Sequence, residues 1–264
     1  MFWRGVVLLV GTYFALAGCA GKAEHGAVSV DSAVAAPAAH PSSEAGSVPA
    51  LRPPATARRP ILFIGTSLTA GLGLDPDSAY PQLIQLKIDS AGLPFEVTNA
   101  GVSGETSAGL LQRLDWLMRG DFDVVLVETG ANDGLRGIPV ASVERNIREI
   151  VRRIQQSHPR ARVLLVQMEA LPNLGPAYAR DFHAMYPAIA KETGVALLPF
   201  LLAGVAGDRS LNQGDGVHPN QRGEHIVAAN VWRTLGPLLR SMADSARAAA
   251  AGPGGAPRAG ASGG

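Results

Sequence analysis

The chain has 264 residues, 23 Lys and Arg against 22 Asp and Glu, a formal net charge of +1 and 47% hydrophobic residues. That balance leaves no basic footprint for a nucleic-acid partner. The single cysteine, Cys19, excludes an internal disulfide.

Residues 1–19 read as an export signal, with Arg4 ahead of the apolar run Val6 to Leu16 and small residues at Ala17 and Gly18. The run is too short to span a bilayer comfortably. Leu16-Ala17-Gly18-Cys19 resembles the lipobox of bacterial lipoproteins. The resemblance implies lipidation of Cys19 and attachment to a membrane through that anchor. It also implies an exported cell-envelope lipoprotein, periplasm-facing and outer-membrane anchored in a Gram-negative host. Residues 20–58 are Ala, Pro, Ser and Gly with few large apolar side chains, which predicts a disordered tether. Such a coil reaches roughly 35 Å on average. Residues 241–264 have the same composition and read as a disordered tail.

The folded domain is therefore expected over 59–240. Apolar runs at Ile61–Ile64, Phe95–Thr98, Val124–Val127, Val163–Gln167 and Val195–Pro199 predict five strands. Helical patterns separate them. Leu83, Leu86 and Ile88 lie in the first. Leu110, Leu114 and Leu117 share one face of the second. Val143, Ile147, Ile150, Val151 and Ile154 form the stripe of the third. Tyr178–Glu192 and Glu224–Leu239 carry the last two. Strand–helix alternation predicts an α/β three-layer sandwich around a five-stranded parallel, flavodoxin-like sheet of order 2-1-3-4-5. Trp116 and Trp232 are read as packing residues, and Arg152 and Arg153 as a solvated helix face.

Three loops then open on one sheet edge. Ser67 follows the first strand in Gly65-Thr66-Ser67-Leu68. Gly104 follows the second in Val102-Ser103-Gly104-Glu105-Thr106, and Asn132 the third in Gly130-Ala131-Asn132-Asp133-Gly134. His218 sits before the last helix in Asp215-Gly216-Val217-His218-Pro219. A hydroxyl needs a base to take its proton during attack, and the base needs a carboxylate to fix its tautomer. Asp215 and His218 can come from one short loop because Gly216 permits the turn. Asn132 and backbone N–H groups can donate to a tetrahedral oxyanion. Glu128 and Asp133 flank the Asn loop and read as support, and Leu171–Tyr178 as a wall of the acyl pocket.

These blocks are similar to those of the SGNH (GDSL-type) hydrolase superfamily, from about Pro60 to Leu239. Asn99–Thr106, Gly130–Gly137 and Asp215–Asn220 resemble its bacterial arylesterase/acyl-thioesterase subgroup. The resemblance implies Ser67 as nucleophile, His218 as base and Asp215 as orienting acid. It implies an oxyanion hole of Ser67, Gly104 and Asn132, with no metal or cofactor. The expected partner is a small-molecule acyl ester or thioester, hydrolysed by a monomeric lipase-, arylesterase-, thioesterase- or lysophospholipase-like enzyme. Thr66 departs from the family's Gly-Asp-Ser-Leu: it can hydrogen-bond but carries no charge. Two other readings stay open, an envelope glycan O-acetyl esterase and a non-catalytic acyl-ligand-binding lipoprotein.

Overall fold

The computed structural model describes residues 58–251. The expected signal with Cys19, nearly all of the tether and residues 252–264 lie outside the described residues.

Five parallel strands form one sheet: β1 (Arg59–Gly65), β2 (Phe95–Gly101), β3 (Val124–Val127), β4 (Arg162–Val166) and β5 (Ala196–Leu198). Their order is β2-β1-β3-β4-β5, as the alternation predicts. The central strands are apolar throughout because both sheet faces are covered. Ile61 to Ile64 and Val124 to Val127 are all buried. Edge strands β2 and β5 have mixed burial.

The helices are α1 (Ser67–Ala70), α2 (Tyr80–Ser90), α3 (Ser107–Leu117), α4 (Ala131–Leu135), α5 (Val140–Ser157), α6 (Pro176–Thr193) and α7 (Gln221–Ala251). Right-handed crossovers run one way from β1 to β2 and the other way thereafter, so they place α2 opposite α3, α5 and α6. The packing agrees: α2 lies on α7, α3 on α5, and α5 on α6. The five apolar residues of the α5 stripe are all buried. On its outer side Arg152 and Arg153 pair with Glu149 at 2.6 and 2.7 Å, the solvated face expected there. No helix among the described residues is long and apolar enough to cross a membrane.

Three expectations are corrected. The domain does not end at 240, because α7 continues to Ala251. Ala243 is buried, the Met242 carbonyl accepts from Arg59 Nη1 at 3.1 Å, and the alanine run that resembles a tail is a strong helix former. Trp116 is 66% exposed rather than packed. In α2, Leu86 faces out and Ile84 takes its place in the core.

Strand register positions the site. Gly65 pairs with Gly101 and Ile64 with Val127, so Thr66, Val102 and Glu128 leave the sheet at one edge. The strand order reverses between β1 and β3, where open parallel sheets form their ligand crevice.

Candidate active site

Ser67 opens α1 directly beyond β1, with Thr66 as its extended N-cap. Its Oγ lies 2.8 Å from His218 Nε2. His218 Nδ1 lies 2.6 Å from Asp215 Oδ2. The other carboxylate oxygen, Oδ1, accepts the backbone N–H groups of Val217 and His218 at 2.9 and 3.0 Å. Those donors, with the Val217 N–H foremost, and the imidazole hold the Asp215 carboxyl down at about 2. Gly216 adopts φ +70°, which lets the loop return within three residues. The three groups that the sequence separates into two distant motifs therefore form one hydrogen-bonded file.

Gly104 and Asn132 border the same cavity as Ser67 and His218. Asn132 Nδ2 donates to the Glu105 carbonyl at 3.0 Å, which fixes the amide plane and leaves its second N–H available. The Gly104 loop is held by Arg113, which forks onto Glu105 at 2.6 and 2.7 Å and reaches the Ala100 carbonyl. Arg136 Nη2 donates to the Gly104 carbonyl at 3.0 Å. Buried Asp133 accepts the Ser107 N–H and hydroxyl at 2.8 and 2.7 Å, and Asn146 donates to that hydroxyl. Asp133 thus joins the Asn132 turn to the start of α3.

The site opens into a cavity of about 560 Å³, within the range of small-molecule pockets. Leu72, Leu135, Met168, Leu171, Phe200 and Val217 are among the residues of its apolar wall. From the segment Leu171–Tyr178, Leu171 reaches it; Met168, Glu169 and Ala170 precede it in the wall. Leu72, Leu135, Leu171 and Val217 are 38–49% exposed and rim the mouth.

Some supporting residues carry no sequence signal. Gln213 Nε2 donates to the Leu72 carbonyl at 2.8 Å and the Pro219 carbonyl at 2.9 Å, tying the Ser67 side to the His218 side. The Arg113–Glu105 pair and the Ser107–Asn146 bond are likewise visible only in three dimensions. Glu128, flagged as support, is fully buried beneath the Ser67 turn.

Comparison with known proteins gives the family of the chain. The family described as GDSL-like Lipase/Acylhydrolase matches residues 63–226. The chain is 38% identical over 184 residues to Esterase TesA of Pseudomonas aeruginosa, covering 69% of this chain and 90% of that protein. It is 37% identical over 186 residues to Thioesterase 1/protease 1/lysophospholipase L1 of Escherichia coli K12, covering 70% and 87%. The crystal structure of the psychrotrophic esterase EstA from Pseudoalteromonas, inhibited by monoethylphosphonate, superposes with a TM-score of 0.65 at 33% identity, covering 69% and 99%.

Proposed function

Because the chain belongs to the GDSL-like lipase/acylhydrolase family and is an ester-hydrolysing serine hydrolase, we propose that Ser67, His218 and Asp215 are its catalytic triad. Its proposed substrates are short- to medium-chain acyl esters or thioesters. The observation that carries this reading is the file Asp215–His218–Ser67, at 2.6 and 2.8 Å, opening on an apolar cavity.

In the proposed reaction Ser67 Oγ attacks the acyl carbonyl while His218 Nε2 takes its proton. The carbonyl electron pair moves onto oxygen. The N–H groups of Ser67 and Gly104 and the Asn132 amide receive the resulting oxyanion. Its collapse breaks the bond to the alkoxide or thiolate, which leaves with the proton from His218. Water then gives a proton to His218 and attacks the acyl-enzyme; the bond to Ser67 Oγ breaks, His218 returns the proton to Oγ, and the acid leaves. Asp215 stays ionised and holds the ring through both half-reactions.

The cavity wall supports an acyl chain over an acetyl group on a polar glycan. All five residues come from one chain, which supports a monomer as the catalytic unit. The proposed lipid anchor at Cys19, and with it the cell-envelope location, is supported by Leu16-Ala17-Gly18-Cys19 alone. Fatty-acid labelling that persists in Cys19→Ser would refute the anchor.

Hydrolysis of p-nitrophenyl esters from acetate to decanoate, by the protein and its Ser67→Ala variant, tests the central reading. Turnover should fall by at least about 10³-fold in the variant. Retained turnover would overturn the assignment of Ser67.

A further inference from the structure

Ser67 is held from behind by a group outside the triad and outside the oxyanion donors. Glu128 follows β3, is 0% exposed, and directs its carboxylate under the turn that carries Ser67. Its Oε2 accepts the Thr66 N–H at 2.7 Å. The Thr66 hydroxyl lies 3.0 Å from both carboxylate oxygens, and the Thr69 hydroxyl donates to Oε2 at 2.9 Å. Among the described residues, every hydrogen-bond partner of this side chain therefore belongs to residues 66–69, on either side of Ser67. The network has a second tier: Tyr80 O–H lies 2.8 Å from Thr69 Oγ1. Thr69 spends its hydroxyl proton on Glu128, which leaves Tyr80 O–H as the donor to Thr69 Oγ1, and burial holds the Tyr80 phenol well above its ordinary value.

The packing is built around this carboxylate. A Cβ on Gly65 would run into the Thr69 side chain and the Glu128 carboxylate, so the turn closes over Glu128 only with glycine there. The Glu128 N–H donates to the Ile64 carbonyl at 2.9 Å, which fixes the base of its side chain to β1. No Lys, Arg or His is bonded to it among the described residues. A buried carboxylate without a cation is costly. Burial raises its pKa while the Thr66 and Thr69 donors pull it back down. An acceptor-only group also suits this position, since three converging donors need one acceptor with two oxygens.

The bonds act on the atoms that matter for attack. Bonds to the Thr66 N–H and hydroxyl hold the Gly65–Thr66 peptide and the Thr66 side chain, and so anchor the residue that leads directly into Ser67. Fixing Thr69 sets the turn of α1 that aims Ser67 Oγ at His218. We propose that Glu128 is the positioning residue of the nucleophile turn, and that Thr66 is its hydrogen-bonding partner in this role. The proposal rests on the serine-esterase reading. It also changes the meaning of Thr66: the carboxyl group absent at position 66 has a counterpart beneath it at 128.

The test measures kcat and KM for a p-nitrophenyl ester, and the rate of Ser67 labelling by a fluorophosphonate. The variants are Glu128→Gln, Thr66→Val, Thr66→Ser and Thr66→Val/Glu128→Gln. Glu128→Gln keeps the shape but presents an NH₂ group to donors. Its kcat should fall roughly 10- to 100-fold with KM within about twofold, and labelling should slow in proportion. Thr66→Ser, which keeps the hydroxyl, should retain more kcat than Thr66→Val. The double variant should be little worse than Glu128→Gln, as for partners in one network. A purely structural Glu128 would lower the melting temperature and leave kcat and labelling at wild-type values, which overturns the proposal. So do losses that multiply in the double variant. Should Glu128→Gln fail to fold, equal kcat in Thr66→Ser and Thr66→Val overturns it. Failure of the underlying reading looks different: the wild type would show no Ser67-dependent turnover.

Discussion

Asp215 grips His218 at two points, through the ring nitrogen Nδ1 at 2.6 Å and through the backbone N–H at 3.0 Å. One carboxylate oxygen serves each. The ring and the peptide that carries it are thereby referred to the same group, so imidazole orientation does not depend on burial of the loop.

Replacing Asp215 with Asn puts an amide NH₂ or its oxygen against Nδ1 and weakens selection of the tautomer with a free Nε2 lone pair. We expect kcat for p-nitrophenyl butyrate to fall by roughly 10²- to 10⁴-fold, with folding retained because the side chain is half exposed. A loss below fivefold would remove Asp215 from the proposed triad.

Asn132→Ala removes the side-chain donor proposed for the oxyanion. The expected loss is about 10²- to 10³-fold in kcat with KM little altered. The Glu105 carbonyl also loses its partner, so a fall in melting temperature should accompany the kinetic effect. A rise in KM alone would place Asn132 in ground-state binding instead.

Glu224 carries a pH effect on stability. Burial lifts its carboxyl from about 4.5 to about 8, against the opposing pull of the Tyr80 N–H, which it accepts at 2.8 Å. Between those values the folded state holds a proton that the unfolded state releases, so stability falls as pH rises through this window. Glu224→Gln removes the titration. Its melting temperature should exceed wild type at pH 8–9 and converge with it below about pH 4.5. The difference corresponds to about 3–5 kcal/mol at the alkaline end. Parallel melting curves across this range would contradict the assignment.

Ala206 lines the cavity at an exposed position, so a larger side chain can enter without disturbing the core. Ala206→Phe should shift the chain-length optimum toward shorter esters, with kcat/KM for decanoate falling at least tenfold more than for acetate. An unchanged profile would place the acyl chain elsewhere.

Much of this architecture is legible in the sequence because it rests on periodicity and on backbone turns. β1, β3 and β4 are continuous apolar runs, and the α5 stripe recurs at helical spacing. The misreadings came from composition overriding angle. At 100° per residue, Leu86 lies about 160° around α2 from Ile84, so its hydrophobicity could not bring it into the core. Trp116 lies about 100° from Leu117 and about 160° from Leu114, and it stays in solvent. The alanine-rich end of α7 resembles a tail in composition, because Ala serves both tails and helices. Within the candidate site, Ser67, Gly104, Asn132, Asp215 and His218 sit in short motifs with glycine neighbours. Gln213 and Asn146 do not, because their partners lie on other elements: Leu72 is 141 positions from Gln213, and Ser107 is 39 from Asn146.

The 151 positions between Ser67 and His218 set an order of events. The proposed base arrives only after the sheet is complete, on the loop that leads into the last helix. A nascent chain, or a fragment ending before Leu211, carries an idle serine: neither the imidazole nor the Gln213 strut is present. Hydrolysis therefore reports that the whole domain has been made and docked. Until then the chain is latent toward acyl esters.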